Sequence, residues 1–131
     1  MVPFVRGRKT SRRVQIDHIV ALAAAWRTGA DRWTSVRRRT FANDPQELLA
    51  VKGSANIAKS DKDASGWLPH DAGNARFDCA YVASQIAAKS RYGLWVTRAE
   101  RKKMRMVLAS CVPGSLAPLP PTNPSVRRPT L

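Results

Sequence analysis

The hydrophobic pattern of the chain changes period several times. Val14-Gln15-Ile16 alternates apolar and polar positions and predicts a short strand that ends at Asp17-His18. Ile19, Leu22, Ala23 and Trp26 then recur at helical spacing, with Gly29 as the stop. Residues 31–42 are basic, with Arg32 and Arg37-Arg38-Arg39 around Trp33, and Asn43-Asp44-Pro45 marks a turn. Leu48-Leu49-Ala50-Val51 predicts a second strand closed by Gly53. Ser54 is read as the cap of a helix that runs through Asn56, Lys59 and Asp63 to about Gly66, stopped by Trp67-Leu68-Pro69. Cys79, Val82, Ala83 and Ile86 share one face of a helix over about 78–92. Thr97 and Glu100 form a capping box that opens a last helix, with Met104, Val107, Leu108 and Cys111 as its buried stripe. The class is α+β with little sheet and a mostly helical C-terminal half.

Composition narrows this picture. The 131 residues suit one modest domain, and 44% hydrophobic content excludes wholesale disorder. Two Cys and two His in all argue against a four-ligand structural zinc site. No stretch approaches the ~18 apolar residues of a membrane span. Lys and Arg number 23 against 9 Asp and Glu, a formal charge of +14, so the expected partner is a polyanion. Residues 1–13 carry five basic residues and no acid, and 112–131 hold two Arg and six Pro. The expected organisation is a flexible basic arm at 1–12, a domain at 13–111 and a Pro-rich disordered tail at 112–131. Arg6 interrupts the apolar start well short of a signal-peptide core, so the chain as written reads as cytoplasmic; a truncated N-terminus leaves secretion open.

Three features stand together: Asp17-His18, the 48–51 strand, and Asn56-Ile57-Ala58-Lys59-Ser60-Asp61. If the two strands pair, the helix that follows packs across the hairpin and brings Asn56 close to Asp17. A carboxylate and an amide oxygen are hard ligands that suit one divalent metal, Mg²⁺ first and Mn²⁺ second. His18 beside them is a candidate base, since a free imidazole titrates near ~6.5.

The run from Val14 to Val20, with Asn43-Asp44-Pro45, Leu48–Val51, Asn56–Asp63 and Trp67-Leu68-Pro69, resembles the HNH (ββα-metal) nucleases. Within them it is most similar to small bacterial HNH proteins related to the C-terminal domain of GmrSD-type restriction enzymes. The resemblance covers roughly 14–111. It implies a ββα-metal core and a metal-dependent endonuclease that hydrolyses DNA phosphodiesters, with His18 as general base and Asp17 and Asn56 on the metal. Lys59 is added as a candidate catalytic contact to a nonbridging phosphate oxygen. The family's usual Asn just before the second strand, which braces the loop that orients the catalytic His, is Glu47 here. Glu47 could instead pair with an Arg of 37–39, bind metal, or leave the site slack, and Asn43 is a second candidate brace. Arg37, Arg38, Arg39 and Lys62 are candidate phosphate contacts.

DNA is the expected partner, RNA the second, with no membrane and no small-molecule cofactor; nothing indicates an oligomeric state. A catalytically weak or inactive nucleic-acid-binding domain of the same fold is the alternative, and Glu47 motivates it. Trp26, Trp33, Trp67 and Trp95 are read as core or lid packing rather than base-stacking platforms. His70 reads as a surface residue, and Asp61 and Asp63 as solvated helix charges. Cys79 and Cys111 each fall on an apolar helix face. They would form either one disulfide, closing a loop of about 33 residues, or two buried thiols.

Overall fold

The computed structural model describes residues 14–112. The expected basic arm at 1–12, and all but the first residue of the expected Pro-rich tail, lie outside the described residues. Two five-residue strands, β1 (Val14–His18) and β2 (Leu48–Lys52), pair antiparallel, with His18 opposite Leu48 and Asp17 opposite Leu49. Helix α1 (Leu22–Arg27) and helix α2 (Ser35–Ala42) lie between them in sequence. Strand β2 runs directly into α3 (Gly53–Lys59), which packs on both strands. The last helices of the described residues are α4 (Asp78–Tyr92) and α5 (Arg98–Ala109), packed against each other. The class is α+β, with a two-stranded sheet among the described residues.

The α4 helix is the spine that joins two apolar clusters. Ala88 near its C-terminal end packs with Val20, Ala24, Phe41 and Leu94, where Phe41 meets Tyr92 edge to face at 4.9 Å. Tyr81 and Val82 near its start pack with Trp67, Leu68 and Met104. Each such large apolar side chain removed from water contributes about 1.5–3 kcal/mol.

Four elements differ from the sequence expectation, each for a physical reason. Helix α1 starts at Leu22, not Ile19, because the Ile19 backbone is committed elsewhere. Its N–H donates to Glu47 O (2.7 Å), and its carbonyl accepts from Tyr81 Oη (3.3 Å) and Gln85 Nε2 (3.2 Å). The basic run conceals α2, which opens where Thr34 Oγ1 accepts the Arg37 N–H and buries Phe41 alone of its residues. Helix α3 stops at Lys59 rather than near Gly66, because Ser60 turns to φ +50°. The inner face of α4 holds Tyr81, Val82, Gln85, Ala88 and Lys89, whereas Ile86 is exposed. Gln85 and Lys89 belong inside because each has a partner there, and apolar periodicity cannot register that.

The cap of the last helix follows its sequence, while of the expected buried stripe Met104 is buried, Val107 and Leu108 are half-buried, and half-buried Cys111 lies past the helix end. Thr97 Oγ1 accepts the Glu100 N–H (3.2 Å), and Glu100 Oε1 accepts the Thr97 N–H (3.3 Å). The same Glu100 oxygen takes Lys89 Nζ at 3.0 Å, which ties α5 to α4 in the interior. Cys79 and Cys111 are joined as a disulfide that fastens the start of α4 to the end of α5, with Cα atoms 6.0 Å apart.

Candidate active site

Residues two apart on a strand share a face, so Gln15 and Asp17 project to the same side of β1. Residues three apart on a helix do likewise, so Asn56 and Lys59 share a face of α3. The two faces meet in register. Asn56 Nδ2 donates to Gln15 Oε1 at 2.6 Å, and Lys59 Nζ donates to Asp17 Oδ2 at 2.6 Å. Asn56 therefore stands one step along the strand from the position expected of it, and Lys59 is the residue on Asp17.

Lys59 is 1% exposed. Its ammonium also donates to the His18 carbonyl oxygen. Burial pushes its pKa below the usual lysine value, and the Asp17 carboxylate opposes that shift. The other Asp17 oxygen, Oδ1, accepts the His18 backbone N–H at 2.8 Å. A buried charge needs such a partner, and Lys59 and Asp17 supply one to each other.

The His18 ring is fixed from a third element. Its Nε2 lies 2.8 Å from the carbonyl oxygen of Ala42, the last residue of α2. A carbonyl only accepts, so Nε2 carries the hydrogen in this bond, and in the neutral ring Nδ1 holds the lone pair. The last carbonyls of a helix lack partners within it, and His18 satisfies one of them. The neighbouring Asn43 does not reach His18; its Nδ2 donates to Arg39 O at 2.8 Å.

Glu47 lies just before β2 and is fully buried. It pairs with Arg91 of α4, Oε1 to Nη2 2.8 Å, and not with Arg37–Arg39. Burial raises its pKa to about 7, against the opposing pull of Arg91, while its Oε2 has no hydrogen-bond partner. Its backbone carbonyl takes the Ile19 N–H and so extends the hairpin pairing just past His18.

Asp17 and His18 open onto a shallow cleft of about 350 Å³, walled by Ala21, Leu22, Ser60 and Asp61. None of the expected phosphate contacts lines this cleft. Arg37 stacks on Trp33 and Tyr92, at 4.8 and 5.4 Å from the ring centres. Arg38 stacks on Trp26 at 5.3 Å. Arg39 is exposed, and Lys62 Nζ donates to Ala58 O at 2.9 Å. Asp61 pairs with Arg27 at 3.1 Å. His70, away from the site, pairs with Asp78 at 2.7 Å.

Among the described residues no three His, Cys, Asp or Glu side chains gather as a metal cluster. The oxygen donors at the hairpin are the Asp17 carboxylate and the Asn56 amide. An ionised carboxylate offers about four acceptor positions. Two of these, one on each oxygen, accept His18 N and Lys59 Nζ. The remaining Asp17 capacity is a hard-oxygen donor of the kind taken by a divalent ion that keeps most of its waters, while the Asn56 amide is engaged with Gln15.

Sequence reasoning missed Gln15, Ala42 and Arg91. Gln15 could have been found from its spacing to Asp17. Ala42 contributes a backbone oxygen and leaves no trace in residue type.

The chain belongs to the family described as GmrSD restriction endonucleases, C-terminal domain, whose model matches residues 4–107. That places it in a nuclease-related family. It is also 41% identical over 101 residues to an uncharacterized secreted protein of Arthroderma benhamiae, an alignment covering 75% of this chain. The chain spans about half of that relative's length, 48%. No solved structure matches it.

Proposed function

We propose that the protein is a metal-dependent HNH-type endonuclease that hydrolyses DNA phosphodiester bonds on a ββα-metal core of β1, β2 and α3. The observation that carries this reading is the His18 ring, held through Nε2 on the Ala42 carbonyl beside Asp17. Held this way, the ring has Nδ1 free to take a proton from water as that water attacks phosphorus. The new P–O bond forms as the bond to the 3′ oxygen breaks. A divalent ion on Asp17 and Asn56 would stabilise the charge that develops on the phosphate and the departing oxygen.

Lys59 acts here as a positioning residue. Its ammonium joins Asp17 Oδ2 to the His18 carbonyl and holds both at the end of β1. Glu47 serves as a brace through its backbone oxygen, so the Asn usual at this position is not required to keep the hairpin closed. The strongly basic chain draws the polyanion through nonspecific attraction that weakens as salt rises. RNA is the second substrate class. Export of the protein is supported by the disulfide and by the secreted relative.

Nicking of supercoiled plasmid is the test. Conversion to the open-circular form with Mg²⁺ or Mn²⁺, stopped by EDTA, is the expected result. A folded protein that shifts the plasmid without cutting it in either metal overturns the enzyme reading and leaves a nucleic-acid-binding domain.

A further inference from the structure

A second cavity, of about 290 Å³, lies between α1 and α2, lined by Leu22, Trp26, Trp33, Arg38, Arg39 and Phe41. It adjoins the His18 cleft. Leu22 walls both, and Ala42, whose carbonyl holds His18, also lines it. Of the two expected uses of Trp26, core or lid packing, the core is excluded: the residue is 51% exposed. Arg38 lies over its ring, and the guanidinium is pinned there by a hydrogen bond from Nη1 to Trp33 O at 2.5 Å. Arg39 stands exposed on the same wall, and α2 contains no acidic residue.

We infer that this cavity is a stacking subsite for one unpaired DNA base flanking the scissile phosphate, with Arg39 on its phosphate. The inference rests on the nuclease reading for its orientation along the strand. Small-molecule sites run from ~300 to 1,000 Å³, so this one suits a single planar ring system. Arg38 covers one face of the indole from α2, and the fixed guanidinium with the exposed part of the indole offers a flat, cationic surface on which stacking tolerates any base. A paired base has both faces covered by its neighbours in the duplex. The subsite therefore selects single-stranded or locally opened DNA.

The experiment measures binding in EDTA, where cleavage is absent, so its outcome is separate from that of plasmid nicking. The probe is a short DNA strand carrying 2-aminopurine, alone or annealed to its complement. Wild type is expected to quench the single strand and bind it more tightly than the duplex. Trp26→Ala should weaken single-strand binding roughly tenfold, within the range of one lost base stack, with duplex binding little changed. Trp26→Phe should retain most of the affinity. Absence of quenching by wild type overturns the inference without recourse to any variant. Equal losses for single strand and duplex in Trp26→Ala, or no loss at all, also overturn it.

Discussion

Lys59 Nζ sits 2.6 Å from Asp17 Oδ2 with the lysine side chain 2% exposed. A lysine so deep is held by its partner, and the partner is a proposed metal ligand. Lys59→Met, of similar length, leaves Asp17 without its countercharge. Loss of one member of a buried pair costs about 3–5 kcal/mol, and the partial exposure of Asp17 points to the lower end. Urea unfolding should show a lower midpoint with little change in slope.

Glu47 makes stability fall with rising pH in a defined window. Its pKa in the fold is about 7, above the ordinary carboxylate value of about 4.5, so between these values the folded chain binds more protons than the unfolded chain. Stability from this group is complete below about pH 4.5 and is lost as pH rises to about 7. The shift corresponds to roughly 3 kcal/mol. The Arg91 ion pair alone would suggest the opposite direction. Its guanidinium reaches solvent while Glu47 is fully buried, so burial dominates. Glu47→Gln should flatten the fall in thermal midpoint between pH 5 and 7.5.

The disulfide between Cys79 and Cys111 links α4 to α5 across a separation of 32 residues. A loop of that length is worth roughly 3–4 kcal/mol in the loop-entropy model. Reduction should lower Tm by roughly 10–20 °C at constant pH. Melting curves with and without a phosphine reductant check this.

Ser60 ends α3 with φ +50° and ψ −129°, a conformation that favours glycine. Ser60→Gly should raise stability by about 1 kcal/mol, read from chemical denaturation. It lies at the rim of the His18 cleft, so nicking by this variant should change little.

Legibility in the sequence followed the range of the interactions. The strand Val14–His18, the turn at Asn43–Pro45 and the Thr97–Glu100 box rest on neighbours within a few residues, and the chain displays them directly. Asp17 and His18 stood out because a strand end joins them. What was hidden is tertiary. The Ala42 carbonyl meets His18 across 24 positions and Arg91 meets Glu47 across 44. Trp26 has the hydropathy of a core residue, but the guanidinium that covers it comes from another helix. Lys59 has the composition of a surface residue and is buried because Asp17 waits there.

The central claim is that His18, oriented by Ala42, removes the proton from the attacking water. Nicking of supercoiled plasmid by wild type and His18→Ala, side by side in Mg²⁺ and Mn²⁺ with an EDTA control, tests it most directly. Loss of a general base typically costs 10²–10⁴-fold in rate. A drop of that size, with plasmid binding and Tm preserved, is the predicted result. Equal nicking by the two proteins would contradict it.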